Sequence, residues 1–386
     1  MKEIADKVSE KNKNNEFSEP FTNSAEQGII SQKDYFDREI VNNENLDGYY
    51  IVRNDDFIYN PRISATAPVG PINRNRLGRN GVMSPLYTVF RTHDIDNLYL
   101  EFYFKTTKWH RFMKLNGDSG ARFDRFTISS TQFMEMPIPY PTLEEQQKIG
   151  KYFDSLDHLI TLQQRKCDEV KSLKKYMLQK MFPQNEQKVP EIRFEGFTEA
   201  WEQRKLGDVL ERRIEQRQQS EEYPRLAFAS GQGVIPLSER KTNNREQLTK
   251  DEYTKKYLVT ELNDIVYNPA NVKYGAIDRN KCRRGLISPI YVTFTTNEIP
   301  GFIERIVTSH DFQQRALRFE EGTVTKRQSV NPEDLVTLDI LVAPKREEQQ
   351  KIATYFDSLD HLITLHQQKC EELKKIKKFM LQKMFV

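Results

Sequence analysis

One segment of this chain occurs twice. Residues 144 to 182 return at 347 to 385, which is 203 residues later, with nearly every position identical or similar. A fixed internal period is evidence about architecture before any motif is considered. This period is too long for a solenoid unit, and each copy follows a stretch of about domain length that matches its counterpart only in scattered places. The chain therefore divides into variable, constant, variable and constant regions.

Each copy of the repeat is predicted to be one long helix. With Ile149 as position a of a heptad, apolar side chains recur at positions a, d and e. Glu144 and Glu145 in the first turn and Lys180 in the last suit the helix dipole. Such a helix is about 57 Å long at about 1.5 Å per residue, so its apolar stripe needs cover. Two such helices predict an antiparallel pair, and the alternative is that each packs only onto its own domain.

The stripe predicts which residues form the interface between the helices or with a partner. Gln163 and His366 occupy equivalent a positions, and a polar pair there would fix register and orientation. The alternative is that both face solvent where the stripe drifts. The predicted interface residues are Ile149, Phe153, Leu156, Ile160, Gln163, Ile352, Phe356, Leu359, Ile363 and His366.

Composition excludes several classes of protein. The 386 residues are 37% hydrophobic and 30% charged, which is typical of a soluble globular protein with two or three domains. No apolar run approaches membrane-spanning length and no signal segment opens the chain, so we expect a cytoplasmic protein without a membrane partner. Cys167, Cys282 and Cys370 have no CxxC spacing and are predicted to be reduced thiols.

The two variable regions are distantly related. Residues 56–61 match residues 264–269, and residues 81–87 match residues 285–291. These anchors are apolar strand-forming residues that run into Asn-Pro or Ser-Pro turns. Between them the two sequences differ in length and content. This pattern predicts an α/β (α+β) fold in which one mixed scaffold carries two different recognition surfaces.

Positive charge is concentrated between these anchors. Residues 57–93 contain no Asp or Glu, and residues 265–297 contain only Asp278. Basic loops on Gly-supported turns predict contacts to the phosphates and base edges of a nucleic acid, and the alternative is a solvated basic surface. The predicted DNA-binding residues are Arg62, Arg74, Arg76, Arg79, Arg122, Arg125, Lys273, Lys281, Arg283, Arg284, Lys326, Arg327 and Gln328.

No catalytic or metal-binding residue is predicted. Tyr59-Asn-Pro-Arg62 and Tyr267-Asn-Pro-Ala270 resemble an adenine methyltransferase motif only superficially, since the second proline and the aromatic residue after it are missing. We interpret both as turns that close a strand. His158 and His361 occupy equivalent places on the long helices, without metal-ligand spacing around them, and are interpreted as structural.

The EEQQKIxxYFDSLDxLI and LKKxxKxxMLQKMF runs, with the lead-in PEIRFEGFTEAWEQRKLGDVL at 190–210, resemble the specificity subunits of Type I restriction-modification systems. The resemblance covers the whole chain. It implies two target-recognition domains that each read one half of a bipartite double-stranded DNA sequence, separated by an antiparallel coiled coil with a pseudo-twofold repeat. The alternatives are a methyltransferase or nuclease with an unrecognised motif, or a scaffold that does not bind nucleic acid.

The resemblance also implies partners. The chain would bind no cofactor itself but would dock two modification (methyltransferase) subunits that hold S-adenosylmethionine. In the larger complex, restriction (translocase and endonuclease) subunits would use ATP and Mg²⁺.

The same resemblance gives the expected domains. These are target-recognition domain 1 at 1–141, spacer helix 1 at 142–182, a linker and lead-in at 183–200, target-recognition domain 2 at 201–343, and spacer helix 2 at 344–386. The first domain departs from the pattern because it has no counterpart of the Phe194-Glu-Gly-Phe197 lead-in. We expect either a shortened form or a late gene start.

Overall fold

A computed structural model describes residues 1–35, 46–118, 124–184, 187–229, 231–240, 255–321 and 329–385. The chain forms two compact units. Unit 1 contains residues 1–165 and 367–386, and unit 2 contains residues 166–366. Each unit therefore contains one variable region, the first part of one long helix and the last part of the other.

Unit 1 begins with short strands and helices and continues into the first long helix. Its strands are β1 Ala5–Lys7, β2 Phe21–Ser24, β3 Gly28–Ser31, β4 Tyr50–Val52, β5 Phe57–Tyr59, β6 Ile72–Arg74, β7 Gly81–Met83 and β8 Thr88–Thr92. Its helices are α1 Gln32–Tyr35, α2 Asn97–Phe104, α3 His110–Asn116, α4 Ser130–Met134 and α5 Leu143–Lys180, which continues into unit 2. The main sheet is antiparallel with the strand order β1-β8-β5-β6, and β2–β3 and β4–β7 form smaller sheets.

Unit 2 repeats this plan with additions. Its strands are β9 Glu202–Lys205, β10 Leu210–Arg213, β11 Gln216–Arg217, β12 Leu226–Ala229, β13 Gly233–Pro236, β14 Tyr257–Thr260, β15 Ile265–Tyr267, β16 Ile277–Arg279, β17 Gly285–Ile287, β18 Val292–Thr296, β19 Glu320–Glu321, β20 Ser329–Val330 and β21 Asp339–Val342. Its helices are α6 Pro300–Val307, α7 His310–Ala316, α8 Pro332–Leu335 and α9 Arg346–Met384, which continues into unit 1. The main sheet order β10-β18-β15-β16 matches that of unit 1, and β9 pairs with β21.

The two long helices confirm the prediction of two helical spacers. They contain 38 residues in α5 and 39 residues in α9. Within unit 1, Asp157 of α5 forms an ion pair with Lys377 of α9. Within unit 2, the equivalent residues Lys174 and Asp360 form an ion pair of 2.5 Å. In both units the first part of one helix therefore runs antiparallel to the last part of the other.

The buried stripe of each helix follows positions a and e. Phe153 and Phe356 at position e are fully buried. At position d, in contrast, Leu159 is 41% exposed and Leu173 is 44% exposed. Alternating steps of four and three residues keep a and e on the side of the partner helix. The apolar residues at d therefore form a separate exposed surface.

Each recognition domain packs closely against the start of its long helix. In unit 1, a Cβ atom on Gly150 would lie 2.7 Å from the Cβ of Leu98. In unit 2 the helix carries Ala353 at the equivalent position, and the domain carries Gly301, whose added Cβ would lie 2.9 Å from that of Ala353. The glycine is on the helix in one unit and on the domain in the other, so the backbones approach closely in both.

A buried glutamine fastens each domain to its helix. Gln146 is fully buried, and its side chain accepts a hydrogen bond from the backbone N–H of Asp96 at 2.9 Å and donates to the carbonyl of Pro141. In unit 2, Gln349 accepts from the N–H of Ile299 at 3.1 Å. Each glutamine satisfies a backbone group beside the start of α2 or α6.

Candidate nucleic-acid interface

Two of the predicted basic loops of unit 1 lie side by side. Arg62 and Arg125 are opposite each other in an isolated antiparallel bridge. The bridge is closed by the hydrogen bonds Ile63 N–H to Asp124 O at 3.0 Å and Phe126 N–H to Pro61 O at 2.8 Å. Arg62 is exposed, and Arg125 contacts only the neighbouring Asp124, at 3.8 Å. The turn after β5 and the later Gly-containing turn thus form one basic surface.

Unit 2 brings the equivalent segments together. The residues after β15 form a 3-10 helix, Pro269–Tyr274, which ends at Gly275 in the left-handed conformation. This helix packs against β20, the strand that pairs with β19 in a hairpin. The predicted residues Lys326, Arg327 and Gln328 belong to the connection between β19 and β20 and lie outside the described residues, as does Arg122 in unit 1. Lys273 belongs to the 3-10 helix, but its side chain is not among those described.

Three predicted arginines of unit 1 hold carboxylates of the same unit. Arg74 and Arg76 both bind the buried Glu101, at 2.8 and 2.7 Å. Arg79 binds Glu19 through two hydrogen bonds of 2.8 Å, and this contact lowers the pKa of Glu19. Charge that faces a carboxylate is less available to a phosphate, so these arginines have a structural role whatever they contribute to DNA binding.

The same arrangement recurs in unit 2. Lys281 binds the buried Glu304 at 2.5 Å, and Arg284 binds Glu261 and Glu222 at 2.9 Å each. Arg283 is exposed, and the described residues show no ion pair for its side chain. The basic residues least committed to carboxylates in the described ranges are therefore Arg62, Arg125 and Arg283. Whether any of the basic residues binds DNA stays a prediction.

Sequence reasoning missed the acidic partners of this network. Arg76 of unit 1 also binds Asp154 on α5 at 3.1 Å, while Arg279 of unit 2 binds Asp357 on α9 at 2.8 Å and Glu304 at 2.7 Å. These links join the loop-bearing strands to the long helices. The signal was present in the sequence, because Glu101 and Asp154 recur as Glu304 and Asp357, 203 residues later.

The Tyr-Asn-Pro segments close strands, as interpreted from the sequence. The side-chain oxygen of Asn60 accepts the N–H of Arg62 at 2.9 Å, and that of Asn268 accepts the N–H of Ala270 at 3.1 Å. Tyr59 is buried, donates its hydroxyl to Val69 O, and has its pKa raised by burial. Both asparagine side chains therefore cap their own turns. Within the described ranges no group of His, Cys, Asp and Glu has the arrangement of a metal site.

The predicted interface residues follow the helix seam. Ile149, Phe153, Leu156, Ile352, Phe356 and Leu359 are buried, whereas Ile160, Gln163, Ile363 and His366 are half-buried. Their burial agrees with an a/e stripe, but the predicted pairing of Gln163 with His366 stays a prediction.

The exposed d positions form one apolar patch in each unit. The patch of unit 1 contains Leu159, Ile376 and Phe379, and the patch of unit 2 contains Leu362, Leu173 and Tyr176. The register set by the ion pairs places Leu159 across the seam from Ile376 in unit 1, and Leu362 across from Leu173 in unit 2. In an antiparallel pair a given heptad position of both helices lies on the same side. The two patches are thus equivalent surfaces.

No described helix is long and apolar enough to cross a membrane.

Residues 2–172 match the family model of the Type I restriction modification DNA specificity domain. A search of curated proteins finds a protein of Methanocaldococcus jannaschii described as the type I restriction enzyme MjaX specificity subunit, with 23% identity over 266 residues. The match covers 65% of this chain and 59% of that relative, so the chain spans somewhat more than half the length of the curated relative.

Solved structures with the same overall fold were also found. The S subunit of a Type-I restriction-modification system from M. genitalium aligns with a TM-score of 0.60 at 12% identity, over 100% of this chain and 94% of that chain. The HsdS subunit from Thermoanaerobacter tengcongensis aligns with a TM-score of 0.44 at 15% identity, over 87% of this chain and 82% of that chain. The first alignment shows a shared fold that includes two mixed domains and two long helices.

Proposed function

This chain belongs to the family of Type I restriction-modification specificity subunits, and we propose that it recognises DNA for a Type I complex. Each unit reads one half of a bipartite double-stranded DNA sequence, and the helix pair sets the distance between the half-sites. The chain itself supplies recognition, and its partner subunits supply the chemistry. A methyltransferase or nuclease role for this chain is less well supported, because its Tyr-Asn-Pro segments are self-capped turns.

The observation that carries this proposal is the bridge between Arg62 and Arg125. The bridge joins two loops from distant parts of unit 1 into one basic surface, with Arg62 exposed and Arg125 within reach of solvent. Arginine contacts to phosphates give affinity that falls with salt, whereas bidentate contacts to guanine give specificity. A surface of this kind suits a nucleic acid better than it suits a small anionic ligand, because its charges are spread over two loops.

The test is DNA binding by the complex assembled with its modification subunits. Arg62→Ala combined with Arg125→Ala should weaken binding and reduce the slope of log affinity against log salt by about two if both contact phosphates. The control Arg53→Ala with Lys13→Ala removes two exposed positive charges elsewhere in unit 1 and should leave the slope unchanged. Equal binding by both double variants would refute this surface as the DNA interface of unit 1.

The partners follow from the same family membership. We infer that the apolar patches of units 1 and 2 each dock one modification subunit, since two equivalent surfaces fit two copies of one partner. S-adenosylmethionine is then held by the modification subunits, and ATP and Mg²⁺ by restriction subunits in the larger complex. Such a complex acts on DNA in the cytoplasm.

A further inference from the structure

An extended segment of unit 2, Glu191–Trp201, lies over the start of α9 and is called the strap here. Its Arg193 binds Glu348 of α9 through two parallel hydrogen bonds of 2.6 and 2.7 Å. Glu348 is fully buried under this contact. Bidentate pairs of this kind combine charge with strict geometry, so they select an arginine at this position of the strap.

The rest of the strap adds aromatic and backbone contacts. Phe194 packs edge-on against Tyr355 with ring centroids 6.3 Å apart, and the ammonium of Lys351 lies 5.0 Å from the ring centroid of Phe197. The N–H of Ile192 donates to the carbonyl of Lys180 in the last turn of α5 at 2.9 Å. The strap therefore satisfies a carbonyl that the helix end leaves without an intrahelical donor.

Unit 1 has the same receiving residues. Glu145, Lys148, Tyr152 and Lys383 are identical to Glu348, Lys351, Tyr355 and Lys180, 203 residues away in each case. All four are exposed in unit 1, whereas Glu348 is buried and Tyr355 is half-buried in unit 2. We call these four residues of unit 1 the open groove.

The floor of the groove is built alike in both units. Phe385 stacks on Phe153 in unit 1 at 5.8 Å between ring centroids, as Phe182 packs on Phe356 in unit 2 at 6.1 Å. The end of one helix therefore lies beside the start of the other in each unit. The open groove differs from its counterpart in what covers it and not in how it is formed.

We propose that the open groove binds an extended peptide segment, supplied by another polypeptide, with the strap's pattern of an acid, an arginine two residues later and an aromatic residue directly after it. The arginine binds Glu145, the aromatic ring packs on Tyr152, and the acid binds Lys383. Lysine is a weaker candidate for the central position, because only the planar guanidinium can donate two parallel hydrogen bonds to the carboxylate.

The partner segment needs only the strap and not the strand that follows it. In unit 2 the chain continues from the strap into β9, which pairs with β21. In unit 1 the corresponding edge contains Pro137 and Pro139, which have no N–H to donate. Their carbonyls already accept hydrogen bonds from the hydroxyls of Tyr103 at 3.4 Å and Tyr99 at 2.9 Å. A short peptide is therefore a suitable probe.

The test uses a fluorescent peptide with the sequence of residues 188–200 and the full-length protein, and it measures anisotropy. We expect saturable binding of one peptide per chain. Glu145→Arg should weaken binding by at least about tenfold, as expected when a charged hydrogen-bonded pair is broken. A peptide with glutamate in place of its arginine should bind Glu145→Arg better than it binds the unchanged protein. The matched control Glu169→Arg makes the same charge change at an exposed position of α5 outside the groove and should bind as the unchanged protein does.

Three results would overturn the proposal. One is no binding of the peptide at millimolar concentration. Another is binding that depends on Glu348 and not on Glu145, which would mean that the peptide displaces the chain's own strap in unit 2. The last is a dimer that Glu145→Arg dissociates, which would make a second copy of this chain the occupant. None of these measurements involves DNA, so they are independent of the recognition proposal.

Discussion

At the scale of single residues, the contact between recognition domain and helix depends on where one methyl group is placed. Gly150→Ala would place its Cβ 2.7 Å from the Cβ of Leu98 and 3.0 Å from the backbone nitrogen of Tyr99. Because backbone cannot move aside easily, we expect a loss of about 1–3 kcal/mol in the free energy of unfolding. Thermal or urea unfolding measures it. The control Gly48→Ala, which meets no atom within 4 Å, should be close to neutral.

The arrangement in unit 2 suggests how to rescue this variant. There the helix carries Ala353 and the domain carries Gly301. Adding Leu98→Gly to Gly150→Ala reproduces that pair in unit 1 and should recover part of the lost stability. If the double variant is less stable than the sum of the single changes, the two positions are not exchangeable.

Glu101 predicts how unit 1 responds to acid. Burial acts to raise the pKa of Glu101, but Lys105, Arg76 and Arg74 outweigh it and the pKa is lowered. The unfolded chain therefore takes up the proton first as pH falls. The stabilisation is complete above the ordinary pKa of 4.5 and is lost as the pH falls through the lowered folded value.

Glu101→Gln tests this prediction. At pH 7 it should cost about 2–3 kcal/mol, because three cations lose a charged acceptor. In urea unfolding the gap between the variant and the unchanged protein should narrow as the pH falls below 4.5. Glu135→Gln is the control, because Glu135 is half-exposed and pairs only with Lys2, so its loss should cost less than about 1 kcal/mol. A gap for Glu101→Gln that does not change with pH would contradict the assignment.

Single residues also show what sequence reasoning could not give. The absence of acids from residues 57–93 identified a run of arginines, but it could not show that Glu101 reaches two of them from α2. Charge that looks uncompensated along the chain can be compensated in three dimensions. Arg62 was predicted for the same reason as Arg74, and only the fold distinguishes them.

At the scale of elements, the helices were predicted closely and their buried face only in part. The heptad pattern gave both long helices within a few residues of Leu143–Lys180 and Arg346–Met384. It could not choose between positions d and e, because both carry apolar side chains. Packing settles this in favour of e, where Phe153 and Phe356 are fully buried. The unused apolar side chains at d are then exposed.

The exposed patches lead to a prediction about partner binding. Leu159→Ser combined with Ile376→Ser should leave the free energy of unfolding nearly unchanged, since both side chains are at least one-third exposed. Under the proposed function this change should remove one modification subunit of two, because the patch of unit 2 is intact. Native mass spectrometry of the co-expressed complex measures the ratio of subunits.

The control for this variant changes exposed leucines outside the patch. Leu86→Ser with Leu115→Ser removes two such side chains from the recognition domain of unit 1 and should keep both modification subunits. Retention of both subunits by the patch variant would exclude the patch as a docking surface, whereas their loss from the control would point to a nonspecific effect.

At the scale of the whole molecule, the internal repeat predicted the order of the regions but not how the chain is divided into compact units. Each unit takes the first part of one long helix and the last part of the other. Sequence order alone separates these parts by about 200 residues. What brings them together is the antiparallel pairing, as the Asp157–Lys377 ion pair shows in unit 1. A division of the chain into consecutive segments therefore describes its genetic modules and not its folding units.

Those genetic modules lead to the last prediction. Exchanging residues 201–343 for the equivalent domain of a relative should change one half of the recognised DNA sequence and leave the other half unchanged, with methylome sequencing as the measurement. The incoming domain needs a glycine where Gly301 meets Ala353 and an arginine where Arg279 binds Asp357, since the retained helix α9 supplies the other member of each pair. A graft that keeps its own leucine in place of Gly301 is the matched control and should fold less stably. If both halves of the recognised sequence changed together in a stable graft, the two units would not be independent readers.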